Sequence, residues 1–346
     1  MSENAPRHEV RPTRPLRAEA QHRDPLAGHA VPPPRPLTPG PIAILPEAHE
    51  VFVEAVERGG GTVAPLGDDT RGVVWLSAAR SDELGRVLDT HPGIGWVQLP
   101  WAGVDGFADL LPRYADGRGP VFTSAKGAYS EPVAEHAVAL AHALLREFAP
   151  KARAARWADE RTGLSLYGLR VTIVGAGGIA REILRLLAPW RPQTTIVRRT
   201  AHPLEGAHRT VTVDDLDAVL SETDVLILAA ASTTSTRQLI DARRLALLPT
   251  EAVLVNIARG ALVDTDALVA ALEAGELLGA GLDVTDPEPL PDGHPLFDQH
   301  RCLITSHSAD TAEMTAPLLA GRIVENVHGF LSGGGLVGIV DPAEGY

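Results

Sequence analysis

The sequence predicts an α/β protein built from two parallel-sheet domains. Short apolar segments with strand character alternate with helical patterns, an arrangement that gives parallel sheets with helices on both faces. The alternation occurs twice, once before and once after a long Ala- and Leu-rich helical stretch at residues 134–145. A chain of 346 residues is also long enough for two domains.

The first series has strands predicted at residues 42–45, 73–76 and 96–99, with a helical pattern at 82–88. The second series has six predicted strands, the number found in a complete dinucleotide-binding fold. These six strands lie at residues 171–174, 195–197, 225–228, 253–255, 279–284 and 303–305, with a helix such as 264–274 between two of them.

The chain is expected to form two Rossmann-like or flavodoxin-like domains with a cleft between them. A helix predicted near residues 311–331 returns to the first domain, which therefore comprises 41–140 and 311–346, while 141–310 form the second domain. Residues 1–40 are rich in Pro and Arg and have little to bury, so they are predicted to be a disordered extension. An interaction arm for a partner is the alternative.

Composition excludes several classes of protein. The net charge of −13 leaves no basic excess to neutralise phosphates, so no nucleic-acid partner is expected. No apolar run approaches the ~20 residues of a membrane-spanning helix, so no membrane partner is expected. Cys302 is the only cysteine, which excludes an internal disulfide framework and favours a cytoplasmic setting. The histidines lack a metal-ligand spacing, so no metal is expected.

A glycine-rich turn between a predicted strand and a predicted helix indicates a dinucleotide site. Gly175 would allow the tight turn, Gly177 would let the backbone approach a pyrophosphate, and Ala180 would permit close packing of helix on strand. Gly178 and Ile179 belong to the same phosphate-binding turn, where free N–H groups and the helix dipole suit an anion. A tight strand-to-helix turn without a ligand is the alternative.

The end of the next predicted strand bears on the choice between NAD and NADP. NAD-preferring chains place a carboxylate there for the ribose hydroxyls, whereas this chain has Arg198, Arg199 and Thr200. Guanidinium groups can bind the additional phosphate of NADP. NADP is therefore expected as the preferred cofactor, with NAD as a further possibility. Solvated arginines at the strand end are the alternative.

Three runs downstream of this turn supply a cation, a carboxylate and an imidazole, the groups that carbonyl reduction by hydride needs. Arg259 lies in the run 256–260, Glu288 lies between two prolines, and His307 is followed by Ser308 and Ala309. Taken singly, each has a structural alternative: a surface ion pair, a loop carboxylate and a strand-end histidine. Their order after the glycine-rich turn favours a reactive site.

Together these motifs resemble the D-isomer-specific 2-hydroxyacid dehydrogenases. The similarity runs from about Pro41 to at least Val327, and the combined pattern is specific for the family but not for one substrate. The motifs are the turn at 175–180, residues 255–264, 281–284, Glu288-Pro289 and His307-x-Ala309, with 102–105, Gly127 and 133–136 in the first domain.

The resemblance implies roles for the reacting residues. Arg259 would bind the carboxylate and the carbonyl oxygen of a 2-oxo acid and stabilise the alkoxide as it forms. His307 would donate the proton to that oxygen in reduction, and Glu288 would orient the imidazole and favour its protonated form. These three are the predicted catalytic residues.

The resemblance also implies cofactor and substrate contacts. Asp283 would bind the nicotinamide carboxamide, and Ala230 and Ala258 would line the cofactor site. The first domain, as the substrate-binding domain, would present the backbone N–H groups of Trp101, Ala102 and Gly103 to the substrate carboxylate. The predicted cofactor residues are Gly175, Gly177, Gly178, Ile179, Arg198, Arg199, Thr200, Ala230, Ala258 and Asp283.

Some residues depart from the family or remain outside its site. Relatives often carry Pro before the catalytic histidine, where this chain has Ser306, and Ser308 and Asp310 make the surroundings of His307 more polar. With Trp101 as a bulky wall, these features favour a small substrate. His136 on the Ala-rich helix is predicted to be packed.

The predicted function is therefore an NADP-dependent reductase of small 2-oxo acids such as glyoxylate or hydroxypyruvate. The helix at 134–155 resembles the part of these enzymes that forms a two-fold interface, so a homodimer is expected. One alternative is an NAD(P)-sensing regulator similar to the corepressors that keep this fold. Another is a related enzyme with formate or phosphite as donor, although formate-oxidising relatives replace the residue at Glu288.

Overall fold

The computed structural model describes residues 29–157, 159 and 161–343, which fall into two compact units. Of the described residues, 29–130 and 311–343 belong to the first unit, and those between 131 and 310 belong to the second. The first unit is therefore discontinuous in the sequence. Among the described residues, no helix has both the length and the apolar character that a membrane crossing requires.

Strands and helices are numbered along the chain. The strands are β1 (Ile42–Leu45), β2 (Gly72–Trp75), β3 (Trp96–Gln98), β4 (Val121–Thr123), β5 (Arg170–Val174), β6 (Gln193–Arg198), β7 (Arg209–Thr212), β8 (Val225–Leu228), β9 (Val253–Asn256), β10 (Gly279–Leu282) and β11 (Cys302–Ile304). The helices are α1 (Glu50–Arg58), α2 (Ser81–Thr90), α3 (Ser130–Leu145), α4 (Phe148–Ala152), α5 (Gly178–Leu187), α6 (Leu216–Leu220), α7 (Ala242–Leu245), α8 (Thr265–Ala274), α9 (Pro295–Asp298) and α10 (Ala312–Ser332).

The first unit is a parallel sheet in the order β1-β2-β3-β4. Its strands are buried along most of their length, as expected for a sheet covered by helices. α10 packs against α1, and a buried polar network ties α10 to the strands. In that network Gln98 Oε1 accepts hydrogen bonds from Thr123 Oγ1 at 2.9 Å and Asn326 Nδ2 at 2.8 Å.

The second unit is a seven-stranded parallel sheet in the order β11-β10-β9-β8-β5-β6-β7. The chain reverses its direction of travel across the sheet between β5 and β8, which are neighbours in space. Ligands of open α/β sheets bind outside the carboxyl ends of the strands at such a switch point. The fold therefore places the glycine-rich turn, which follows β5, where a dinucleotide is expected.

The boundary between the units differs from the predicted one at residue 141. The second unit begins at Glu131, so nearly all of α3 belongs to it. The reason is close packing: a Cβ added to Gly279 would lie 3.0 Å from Leu144, and one added to Gly281 would lie 3.1 Å from Leu140. Two glycines of β10 thus let α3 lie directly on the second sheet.

The predicted extension also needs a correction. Residues 1–28 lie outside the described part of the chain, but residues 29–40 belong to the first unit. Val31 pairs with Leu336 in an antiparallel bridge, with N···O distances of 2.9 and 2.8 Å. The sequence did not predict this contact because a single bridge leaves no periodic apolar pattern.

Candidate active site

The glycine-rich turn has the backbone geometry that its sequence predicted. Gly175 has a φ of 121°, and a Cβ there would lie 2.4 Å from the carbonyl oxygen of Ala229, so only glycine fits. A Cβ on Gly177 would meet nothing within 4 Å, so the space above this residue is open. Ala180 is fully buried in α5, which starts at Gly178. The turn leaves open space at a helix N-terminus, the arrangement that accepts a phosphate.

The residues predicted to choose between NAD and NADP lie at the end of β6, the neighbour of β5. Arg198 is half-buried, and Arg199 and Thr200 are exposed. Arg198 Nη1 lies 3.5 Å from the carbonyl oxygen of His202. Ala230 lies beside the turn after β8, with its N 3.0 Å from the Cβ position of Gly175.

Arg259 projects from a turn held by Asn256, whose contribution the sequence did not reveal. Asn256 Nδ2 donates to the carbonyl oxygen of Arg259 at 2.9 Å, and its Oδ1 accepts from the N–H of Ala258 at 3.1 Å. Asn256 is 1% exposed, so these bonds satisfy a buried amide. Arg259 Nη1 also donates to the carbonyl oxygen of Ala258 at 2.7 Å. The turn therefore fixes the backbone position from which the Arg259 side chain projects.

Gly260 brings the turn of Arg259 against the loop that carries Glu288. A Cβ on Gly260 would lie 1.9 Å from the carbonyl carbon of Thr285 and 2.4 Å from the nitrogen of Asp286. The loop is further held by Thr265, whose Oγ1 donates to the carbonyl oxygen of Asp286 at 2.7 Å. The two loops are thus in backbone contact that any side chain would prevent.

We expect the Gly260→Ala variant to lose about 1–3 kcal/mol of unfolding free energy, the usual cost of overpacking. The obstacle is backbone, which cannot rotate away as a side chain can. Urea unfolding followed by circular dichroism would measure the difference. Gly177→Ala is the matched control and should unfold like the native chain, because its Cβ meets no atom. Equal stability of both variants would contradict the close approach at Gly260.

Glu288 and His307 form a hydrogen-bonded ion pair. His307 Nδ1 lies 2.6 Å from Glu288 Oε1, and the two side chains are 44% and 37% exposed. The hydrogen bond that His307 donates to Glu288 raises the pKa of His307, although burial and the charge of Arg259 oppose it. Burial would raise the pKa of Glu288, but the bond and charge of His307 outweigh it and lower that pKa. The pair therefore favours a carboxylate beside an imidazolium.

Replacing Glu288 by glutamine should lower the pKa of His307, because the main group that raises it is then neutral. The imidazolium would lose its proton at a lower pH than in the native chain. An NMR titration of the His307 ring proton in both proteins would measure the shift. Glu273→Gln, an exposed position in α8, is the control and should leave the titration unchanged. An identical pKa in the Glu288→Gln variant would rule out the pairing.

His307 sits in an unusual turn that Asp283 holds in place. Ser306 and His307 have φ angles of 50° and 51°, in the left-handed region that costs most residues about 1–3 kcal/mol. Asp283, 2% exposed, accepts from Ser308 N at 2.8 Å through Oδ1 and from Ala309 N at 3.2 Å through Oδ2. Its carbonyl oxygen accepts from His307 N at 2.5 Å. Asp283, predicted from the sequence as a cofactor contact, thus also supports this turn.

Asp310 adds a titratable group next to the ion pair. Burial raises the pKa of Asp310 to about 6, with the charge of His307 opposing and that of Asp283 adding to the shift. The sequence indicated only a more polar environment at this position. The described residues contain no group of three or more His, Cys, Asp or Glu side chains placed to hold a metal ion.

The comparisons with known proteins agree with this arrangement. The model of the D-isomer specific 2-hydroxyacid dehydrogenase, NAD binding domain, matches residues 137–309. That segment is half of the 346-residue chain and carries the glycine-rich turn, Arg259, Glu288 and His307. The chain belongs to the D-isomer-specific 2-hydroxyacid dehydrogenase family.

Relatives of this dehydrogenase-family chain extend the similarity beyond the matched domain. It is 36% identical over 263 residues to an uncharacterized protein in the proB 3′ region of Corynebacterium melassecola, covering 75% of this chain and 86% of that one. It is 30% identical over 239 residues to a glyoxylate reductase of Pyrococcus furiosus, covering 66% and 71%.

A solved relative shows that the similarity includes the fold. The crystal structure of a D-isomer specific 2-hydroxyacid dehydrogenase from Xanthobacter autotrophicus Py2, in complex with NADPH and MES, has a TM-score of 0.73 and 26% identity. It covers 89% of this chain and 100% of that one. The two parallel-sheet domains predicted from the sequence are therefore those of the family.

The substrate loop predicted for this dehydrogenase lies in the first unit, after β3. Trp101 packs edge-on against Tyr129 at 5.9 Å, and its carbonyl oxygen accepts from the N–H of Ala125 at 3.0 Å. Tyr129 Oη donates to the carbonyl oxygen of Pro100 at 2.5 Å. Ala102 is exposed and Gly103 half-buried. These bonds fix the loop after β3 to the loop after β4.

Proposed function

We propose that this dehydrogenase-family chain reduces small 2-oxo acids, such as glyoxylate or hydroxypyruvate, with NADPH as the preferred cofactor. The observation that carries the proposal is the 2.6 Å contact between His307 Nδ1 and Glu288 Oε1. It keeps a proton on the imidazole, and carbonyl reduction needs a group that delivers a proton to the oxygen. Family membership supports the general class, an NAD(P)-dependent oxidoreductase acting on 2-hydroxy acids.

The residues of the second unit fit a nicotinamide dinucleotide. The open space above Gly177 and the start of α5 would hold the pyrophosphate, with Gly178 and Ile179 offering N–H groups. Arg198 and Arg199 carry the positive charge that suits the phosphate of NADP. The Xanthobacter relative, which binds NADPH, supports the same preference. When bound, the reduced cofactor supplies the hydride for the carbonyl carbon.

The protein side chains bind the substrate and transfer the proton. Arg259 binds the substrate carboxylate and polarises the carbonyl, stabilising the negative charge that develops on the oxygen. His307 donates from Nε2 to that oxygen, because Nδ1 is engaged by Glu288. After transfer the neutral ring keeps the same orientation and recovers a proton from water. In the reverse direction His307 accepts the hydroxyl proton of the 2-hydroxy acid.

The remaining predicted contacts complete the proposal. The N–H groups at Trp101, Ala102 and Gly103 are assigned to the substrate carboxylate, and the indole of Trp101 limits the size of the substrate side chain. Asp283 is assigned to the nicotinamide carboxamide in addition to its role in the turn of His307. Ala230 and Ala258 are assigned to the wall of the cofactor site.

The test is the oxidation of NADPH and of NADH by the purified chain with glyoxylate, hydroxypyruvate, pyruvate and phenylpyruvate. We expect the highest kcat/KM with NADPH and one of the two small polar acids. A preference for NADH would remove only the cofactor assignment, and a preference for phenylpyruvate only the size argument. Tight binding of either cofactor without turnover of any acid would contradict the proposed enzymatic activity and favour an NAD(P)-sensing regulator.

We also propose a homodimer. Four large apolar side chains after α3 are exposed, with fractions from 37% to 92%. Large apolar side chains exposed on a protein surface can take part in a protein–protein contact. Light scattering of the purified chain would give its mass and decide between monomer and dimer. The four residues are Phe148, Trp157, Leu164 and Tyr167.

A further inference from the structure

A chain of hydrogen bonds runs from α3 to the turn that carries His307. His136 Nε2 lies 2.9 Å from Thr305 Oγ1, which lies 2.6 Å from Asp283 Oδ1. A carboxylate can only accept, so the single hydroxyl proton of Thr305 goes to Asp283. The Thr305 oxygen must then accept a hydrogen bond from the N–H at His136 Nε2. The direction of both bonds, and the ring nitrogen of His136 that bears hydrogen, follow from this geometry.

These hydrogen bonds end at the buried carboxylate of Asp283, which holds the turn of His307 in place. Asp283 binds the N–H groups of Ser308 and Ala309 through its carboxylate and that of His307 through its carbonyl oxygen. Two successive left-handed residues, Ser306 and His307, persist only when their surroundings over-determine them. The orientation of Asp283 therefore decides the orientation of the imidazole.

We propose that His136 and Thr305 are positioning residues for His307 that act through Asp283. Neither is assigned a contact with substrate or cofactor. Their donors fix one oxygen of the Asp283 carboxylate, and His136 Nε2 also lies 3.6 Å from that same oxygen. Without the Thr305 donor, a carboxylate that is 2% exposed turns toward other donors and loosens its bonds to Ser308 and Ala309. The inference rests on the proposed reduction of 2-oxo acids.

The chain offers matched variants at both positions. Thr305→Val removes the hydroxyl at constant shape, whereas Thr305→Ser keeps it. His136→Leu removes the donor, whereas His136→Gln places an amide N–H near the position of Nε2. We expect Thr305→Val and His136→Leu to lower kcat by about 10–100-fold, a loss like that found when a group orienting a metal ligand is removed. KM for the oxo acid should stay within about twofold, and Thr305→Ser and His136→Gln should retain most of the native kcat.

Two further readouts separate positioning from a general loss of stability. The double variant Thr305→Val with His136→Leu should be no slower than the slower single variant, because both changes break one chain. Hydrogen exchange should show faster exchange of the Ser308 and Ala309 amide protons in each of the two disruptive variants. Should Thr305→Val fail to fold, His136→Leu and His136→Gln carry the same comparison.

The outcomes distinguish this inference from the proposed function. If the native chain reduces no 2-oxo acid, the proposed function fails, and hydrogen exchange at Ser308 and Ala309 still tests positioning. If Thr305→Val and His136→Leu keep the native kcat, the inference is wrong. It is also wrong if Thr305→Ser and His136→Gln lose as much kcat as those two variants. A rise in KM at unchanged kcat, or unchanged amide protection, overturns it as well.

Discussion

The His307→Ala variant should reduce 2-oxo acids with a kcat about 10²–10⁴-fold below that of the native chain, the range that general acids contribute. The variant has no group to deliver the proton, so water must supply it from a less favourable position. NADPH should bind as before, since the glycine-rich turn and the end of β6 are untouched. Steady-state kinetics and a fluorescence titration of NADPH would measure the two quantities.

The pH dependence of the native chain is a second test of the role of His307. Reduction needs the imidazolium, and Glu288 raises the pKa of His307, so kcat should stay high into the neutral range. It should fall as pH rises through that raised pKa, while oxidation of the 2-hydroxy acid should rise over the same interval. The control is His300→Ala, an exposed histidine before β11. Equal losses in both variants would contradict a proton donor at His307.

Replacing Arg259 by leucine should affect kcat and KM together. Loss of one preorganised donor to the developing oxyanion costs about 10²–10³-fold in kcat. Loss of the cation that binds the carboxylate should raise KM in addition. Arg259→Lys should recover part of the binding but little of kcat, because an ammonium cannot span the carboxylate and the carbonyl oxygen as a planar guanidinium does.

The matched control for this comparison is Arg243→Leu. Arg243 lies in α7, its Nη1 pairs with Asp217 at 2.5 Å, and its side chain is 58% exposed. Its loss should change neither kcat nor KM. If Arg259→Leu raised KM alone and kept kcat, Arg259 would bind the ground state without stabilising the transition state. The assignment of the oxyanion role would then be wrong.

The sequence predicted the elements whose pattern is local. Strands such as β5 and β8 are continuous apolar runs, which is how fully buried parallel strands appear in a sequence. β7 was not predicted, since only one of its four residues is buried and no apolar run marks it. β4 was not predicted either.

The candidate site likewise has residues that short runs of sequence indicated and contacts that they did not. Short runs of sequence singled out Arg259, Glu288 and His307, and the family resemblance implied their roles. The structure brings Glu288 into contact with His307. The bonds of His136 and Thr305 join residues 169 positions apart, so no local pattern contained them. His136 was predicted to be packed. The structure leaves its side chain 23% exposed and adds a polar partner, Thr305, that the sequence did not indicate.

The backbone contact at Gly260 has a consequence for how this chain can change. Arg259 and Glu288 stand on loops that meet without an intervening side chain, so the two loops behave as one mechanical part. A residue inserted in either loop would displace the Arg259 cation and the Glu288 carboxylate together. Mutation could therefore not move one of these groups without moving the other. Variation that alters substrate preference is therefore expected to accumulate outside residues 259–288, where a change leaves this coupling intact.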